Sequence, residues 1–449
     1  MKNNGGRLRH QIVLVPCPFQ GHITPMLQLG HILHSKGFSI TVVHTQFNSP
    51  NPIHHPHFRF LSIPDGLSDQ IIASGNILTI LSLINVNCRA HFKQVLADQI
   101  GSEIVCCVIY DELMYFSEFA ANQLNVSSII LRTTSAATCL GRVAFHRLKQ
   151  QGLIPFQDSM LQSPVPDLQP FRFKDLPTPF SRNMEAFLAL VHNAYSNRTS
   201  SAIIWNTMEC LDEFSLAQIR QESHIPIFPI GPLHKIASSS SSTSLLKEDI
   251  GCIEWLDKQA NNSVLYVSWG SVATADDQEI AEMAWGLVNS KQPFLWVVRP
   301  GLIRGSQWIE AFPEGLTEAV GERGCIVKWV PQKKVLGHGA VGGFLSHCGW
   351  NSVLESICEG IPMICKPNFG DQRVNARYVS HVWRIGLEMD DEMERGNIEI
   401  AVRRLMVEEE GLELRKNAKI LKDKVEAGLQ NGGPSSNSLN DLAAKIMSF

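Results

Sequence analysis

Residues 329–372 read WVPQKKVLGHGAVGGFLSHCGWNSVLESICEGIPMICKPNFGDQ. The run 342–346 is apolar and begins at two glycines, the pattern of a buried strand. Asn351 and Ser352 follow, and they can cap a helix that continues through Val353, Leu354, Ser356 and Ile357. A strand, a tight turn and a helix N-terminus make an anion site. The first N–H groups of a helix have no partner within it, and its dipole favours negative charge. Glu355, one turn in, offers two oxygens to sugar hydroxyls. Asp371 and Gln372 follow a second apolar run, 361–365, in the same kind of turn. The carboxyl ends of neighbouring parallel strands share one crevice, which both turns would line.

Outward from this stretch, apolar runs alternate with segments of helical spacing. Upstream, the run 264–268 ends in Trp269-Gly270-Ser271. Ile280, Met283, Ala284, Leu287 and Val288 then share one helix face, and 294–298 forms the next strand. The first half starts in the same way. A strand at 10–15 is followed by the turn Pro16-Cys17-Pro18-Phe19-Gln20-Gly21-His22, a helix reaching Gly37 and a strand at 38–43, which make a parallel βαβ unit. Further strands are expected at 104–109, ending at Asp111, and at 127–131, leading into Arg132-Thr133-Thr134-Ser135, with a helix at 116–124 between them. The proline-rich stretch 153–180 reads as a surface excursion, and the serine run 238–242 as a flexible linker. The fold class expected is α/β, with two doubly wound Rossmann-like domains facing a cleft. Their limits are 1–236 and 251–449, joined by 237–250.

The 449 residues suffice for two domains with large cores, and 44% hydrophobic against 18% charged residues is an ordinary globular balance. A net charge of −4 gives no electrostatic case for nucleic acid. No apolar run approaches the roughly 20 residues of a membrane helix, and the run at 12–15 is too short for a signal segment. The 11 cysteines contain no C-x-x-C pair, so zinc and a disulfide framework are poor readings and reduced thiols in a cytoplasmic protein are expected. His54, His55 and His57 lie among prolines and read as a solvated loop rather than a metal cluster.

His22 opens a helix directly after a strand, where an open α/β sheet has its crevice. A helix N-terminus should depress its pKa and keep it a neutral base. Alone, such a histidine also reads as a helix cap or a buried structural residue. Asp111, at the end of another strand, can fix the tautomer of a base and stabilise its imidazolium. Glu112 competes for that role, since a slip of one residue would exchange them. Ser271, His347, Asn351 and Ser352 are the donors suited to phosphates, and Trp329 offers a flat face to a base. Gly337 to Gly342 is a formal G-x-G-x-x-G. A dinucleotide fingerprint must follow a strand and open a helix, whereas here a helical segment precedes and a strand follows.

The stretch 329–372 closely resembles the signature box of plant family-1 UDP-sugar glycosyltransferases, at Trp329, Pro331-Gln332, His347 to Ser352, Glu355 and Asp371-Gln372. It departs at Lys366, where an aromatic residue is common, and in the spacer Asn368-Phe369-Gly370. Pro18-Phe19-Gln20-Gly21-His22 looks like that family's first-domain motif, whose histidine is the base, and Tyr110-Asp111-Glu112 fits its aspartate. The resemblance implies a glycosyltransferase fold of the GT-B type, with the last helix, 439–447, crossing back onto the first domain. It implies a UDP-glucose site formed by Trp329, Val330, Gln332, Ser271, His347, Gly349, Asn351, Ser352 and Glu355. Trp350, Asp371, Gln372 and Thr133 would hold the hexose. Phe19 and Met114 are candidate acceptor contacts, and the acceptor pocket would be shaped by loops at 78–86 and 184–194. The implied enzyme is an inverting glucosyltransferase, monomeric, without metal or cofactor, acting on small apolar terpenoids, cytokinins, flavonoids or their glycosides. Two alternatives stay open: a dehydrogenase on the same α/β halves, and a nucleotide-sugar binding protein without turnover.

Overall fold

A computed structural model describes residues 10–101, 104–177, 183–195, 199–237, 244–306, 308–310, 312–389 and 392–449. It divides into two compact units, each built on one parallel sheet. The first sheet contains β1 (Gln11–Val15), β2 (Ser39–Thr45), β3 (Phe58–Ile63), β4 (Val105–Asp111), β5 (Ser127–Arg132), β6 (Ala202–Trp205) and β7 (Ile227–Pro229), in the order β3-β2-β1-β4-β5-β6-β7. The second contains β8 (Val264–Ser268), β9 (Phe294–Val297), β10 (Gly324–Val327), β11 (Val341–Ser346), β12 (Met363–Cys365) and β13 (Gly386–Glu388), in the order β10-β9-β8-β11-β12-β13.

Every residue of β1 is buried. Ile12 and Leu14 belong to one apolar cluster, while Val13 and Val15 belong to another. Alternate side chains of a strand face opposite ways, so both faces of the sheet are covered, as a parallel sheet requires. In each sheet the chain runs outward from a central strand and then returns to that strand's other side. β1 therefore pairs with both β2 and β4, and β8 with both β9 and β11. These are the points where strand order reverses and where the carboxyl ends leave a crevice.

The limits of the units differ from a single cut of the chain. The first comprises the described residues of 1–156, 178–245 and 427–449, and the second those of 157–177 and 246–426. The excursion 157–177 joins the second unit because Arg172 pairs with Asp175 and Glu388 and the Arg377 guanidinium donates to the Pro170 carbonyl. The last helix, Pro434–Met447, joins the first because Leu439, Leu442 and Ile446 are buried in the cluster around Ile12 and Leu14. Residues 238–242 lie outside the described residues.

Three expectations are corrected. The presumed loops at 78–86 and 184–194 belong to the helices Ile77–Ile100 and Met184–Tyr195. His55 is not solvated: it is buried, 2.8 Å from His31 and stacked on Phe58. The helix at 350 is capped by Gly349 rather than Asn351 or Ser352, because Gly349 already has extended backbone angles and Trp350 starts the helix.

Candidate active site

In the first unit, Pro18 and Phe19 end the turn after β1, and Phe19 is the extended N-cap of the helix Gln20–Ser35. This puts His22 in the first turn, facing the end of β4. His22 Nδ1 lies 2.8 Å from Asp111 Oδ2 and 3.0 Å from Thr133 Oγ1. A carboxylate only accepts, so Nδ1 carries the proton and Nε2 keeps the lone pair. The His22 side chain is 20% exposed and Asp111 is fully buried. The Leu113 N–H donates to Asp111 Oδ1 at 3.0 Å and holds that carboxylate in place.

The expected depression of the His22 pKa does not occur. Burial is the largest single effect and lowers it, but the Asp111 charge and hydrogen bond, with Glu112, outweigh burial and raise it. Glu112 is not a competitor for the histidine. Its carboxylate is buried against Arg142 at 2.9 Å and Arg132 at 3.6 Å. Cys17, His22 and Asp111 bring ligand atoms within 4.8 Å of one another. Burial first, then Asp111, pushes the Cys17 thiol well up, and a protonated thiol is a poor metal ligand. Phe19 is half-buried with its ring edge-on to Phe47. Met114 is corrected: it is fully buried in the core, so its side chain lines no open pocket.

In the second unit, the candidate donor residues gather beyond β8 and β11. Gly270, at φ +73, turns the chain toward Ser271. Cys348, at φ +64, turns it after β11, with its N–H bonded to Ser346 Oγ at 3.0 Å. The glycines on either side make room for His347: a Cβ at Gly270 would stand 2.4 Å from its Nε2, and one at Gly349 2.5 Å. Burial pushes the His347 pKa down to about 4, so the ring is neutral and has one N–H to donate. Asn351 and Ser352 lie in the first turn of the helix Trp350–Glu359. The Trp350 ring is buried near Trp383, so the structure does not present its indole to an open site.

Gln332 joins this group in a way its sequence position does not reveal. Its Nε2 donates to Ser352 Oγ at 2.9 Å and to Glu355 Oε2 at 2.8 Å, and its Oε1 accepts from Tyr266 at 3.0 Å. Burial raises the Glu355 pKa. Trp329 is half-buried and Val330 is buried; the Trp329 carbonyl accepts from the Asp249 N–H at 2.8 Å. Asp371 Oδ2 accepts from Asn375, which also donates to the Cys348 carbonyl, so the two turns are tied together. Gln372 Oε1 accepts the N–H groups of Asn368 at 2.7 Å and Phe369 at 3.1 Å. It thereby orders the spacer, and its Nε2 is the donor left for a ligand. The G-x-G-x-x-G segment follows the helix Gln332–Leu336 and runs into β11, opposite to a dinucleotide turn.

Residues 68–424 match the family model described as UDP-glucoronosyl and UDP-glucosyl transferase. UDP-glycosyltransferase 76B1 of Arabidopsis thaliana is 49% identical, over 98% of this chain and 98% of its own length. UDP-glycosyltransferase 76E1 of Solanum lycopersicum is 48% identical, over 97% of this chain and 92% of its own. Flavonol 3-O-glucosyltransferase UGT76E12 of A. thaliana is 48% identical, over 97% and 96%. Among solved structures, Os79 from O. sativa in complex with UDP is similar with a TM-score of 0.84 at 28% identity, covering 97% of this chain and 100% of that one. Phytolacca americana UGT2, complexed with UDP-2fluoro-glucose and pterostilbene, is similar with a TM-score of 0.83 at 27% identity, covering 98% and 99%.

Proposed function

The chain belongs to the UDP-glucoronosyl and UDP-glucosyl transferase family and is a plant-type UDP-glycosyltransferase, and we propose that it transfers glucose from UDP-glucose, with inversion, to a hydroxyl of a small, largely apolar metabolite. The observation that carries this reading is the 2.8 Å contact of His22 Nδ1 with buried Asp111. It leaves Nε2 as the base. Nε2 takes the acceptor hydroxyl proton as that oxygen bonds to the anomeric carbon from the face opposite UDP. The bond from that carbon to the UDP oxygen breaks, and UDP leaves with the electron pair. The proton stays on His22 as an imidazolium beside Asp111. One displacement turns an α-linked donor into a β-glucoside.

In this reading the first unit binds the acceptor and the second binds the donor. Ser271, His347, Asn351, Ser352 and the N-terminus of the helix Trp350–Glu359 take the diphosphate, a stabilisation that needs no metal. Trp329 takes the uracil and Glu355 the ribose. Asp371 and the Nε2 of Gln372 take the hexose, favouring glucose. A terpenoid, a flavonoid or a glycoside of these is the acceptor, in line with the flavonol glucosyltransferase among the relatives. The enzyme works as a monomer in the cytoplasm, and the cytoplasmic reading is in line with cysteines that form no disulfide among the described residues.

His22→Ala should lower glucosyl transfer by about 10²–10⁴-fold while UDP affinity stays within about twofold of the parent. Transfer at the parent rate would show that His22 is not the base.

A further inference from the structure

The second unit holds a buried cation that the proposed donor site does not yet use. Arg299 lies just beyond β9 and is 8% exposed. Its guanidinium donates only to main-chain carbonyls: Nε to Gly270 at 3.2 Å, Nη1 to Pro300 at 3.1 Å, and Nη2 to Ala273. Among the described residues no carboxylate pairs with it. A buried charge without a counter-charge is costly. Arginine keeps its proton even so, and burial brings its pKa down only to about 10.

Two of the three carbonyls that hold Arg299, those of Gly270 and Ala273, belong to the turn that carries Ser271. Gly270 packs against His347, and the Arg299 charge is felt at that ring, where it helps to lower the pKa. The uncompensated cation thus lies directly behind the groups assigned to the diphosphate. We infer that Arg299 is a positioning residue that supplies the positive potential for the donor diphosphate, acting through the turn 270–273 rather than by touching the nucleoside. When UDP binds, its charge becomes the missing counter-charge. As UDP leaves the sugar and gains charge, the same potential favours the leaving group. This rests on the placement of the diphosphate at Ser271 and His347.

The test is calorimetric binding of uridine and of UDP to the parent, Arg299→Gln and Arg299→Lys. Glutamine can still donate to the turn but carries no charge. It should leave uridine affinity within about twofold and weaken UDP by about tenfold or more. Lysine keeps the charge, so its UDP-to-uridine affinity ratio should stay within about threefold of the parent. Equal loss of both ligands in Arg299→Gln would mean a purely structural clamp, and parental UDP affinity would mean no role; either overturns the inference. If Arg299→Gln does not fold, the ratio in Arg299→Lys decides: a retained ratio supports the inference and a collapsed one rejects it. If the parent binds uridine and UDP equally, the diphosphate placement itself fails.

Discussion

His22 sits where two opposing effects meet. Burial alone would lower the imidazole pKa, while Asp111 at 2.8 Å favours the charged form and wins. A protonated ring cannot accept the acceptor proton, so activity should fall as pH drops through a value above the ordinary histidine pKa of about 6.5. For stability the sign is reversed. A folded-state pKa above the unfolded value adds stability that is full below about pH 6.5 and is lost as pH rises through the folded value. Replacing Asp111 by Asn removes the charge and leaves burial in command. The acid limb of kcat/KM should then move to lower pH while the plateau falls, with a smaller loss on acidic phenols than on aliphatic alcohols. An unmoved limb would mean that Asp111 does not set the His22 pKa. Sequence alone placed both residues but gave the wrong direction for the shift, because a helix N-terminus is visible in sequence and the distance to a carboxylate is not. The Oε1 of Gln372 was likewise out of reach: only the folded spacer shows that backbone N–H groups already occupy it.

Among the elements, the turns after β8 and β11 bring the candidate donor-site groups together. Gly270 combines a left-handed φ of +73 with a Cβ position 2.4 Å from His347 Nε2. Gly270→Ala should therefore push the ring aside, weaken UDP by about tenfold or more and lower the melting temperature, because a side chain at a left-handed φ is strained in the folded state. Parental UDP affinity would remove His347 from the donor site. The helix Pro434–Met447 is a separate case. Leu442 is fully buried in the first unit's core, so Leu442→Ala should cost about 2–5 kcal/mol in urea unfolding and leave UDP affinity unchanged. A cost below about 1 kcal/mol would contradict that docking. Buried strands such as β1 and β8 were legible because continuous apolar runs mark them. The helix Ile77–Ile100 was not, since ILTILSLINV is apolar nearly all round and hides the helical period. β3 alternates weakly and β13 has three residues, too few for a pattern to register.

For the whole molecule, two sheets of like topology put the candidate groups at equivalent places: His22 and Asp111 where β1 meets β4, and Ser271 and His347 where β8 meets β11. The alternation of runs made two α/β halves legible. It could not give strand order, because that order depends on which strands pair across long separations. It also missed the anchoring of 157–177 on the second unit, and the return of the last helix to the first was expected only from the family resemblance. Arg299 was invisible for a related reason: an arginine after a strand is unremarkable until it is seen that no carboxylate among the described residues pairs with it. The central claim is a single displacement by an acceptor oxygen that His22 has deprotonated. Its most direct test is the product formed from UDP-glucose and UDP-galactose, supplied together with a panel of hydroxylated metabolites and read by mass and by the anomeric proton coupling in NMR. The account predicts addition of one hexose, β-linked and glucosyl, in the parent and almost none in His22→Ala. An α-linked product, or equal product from the variant, would contradict it.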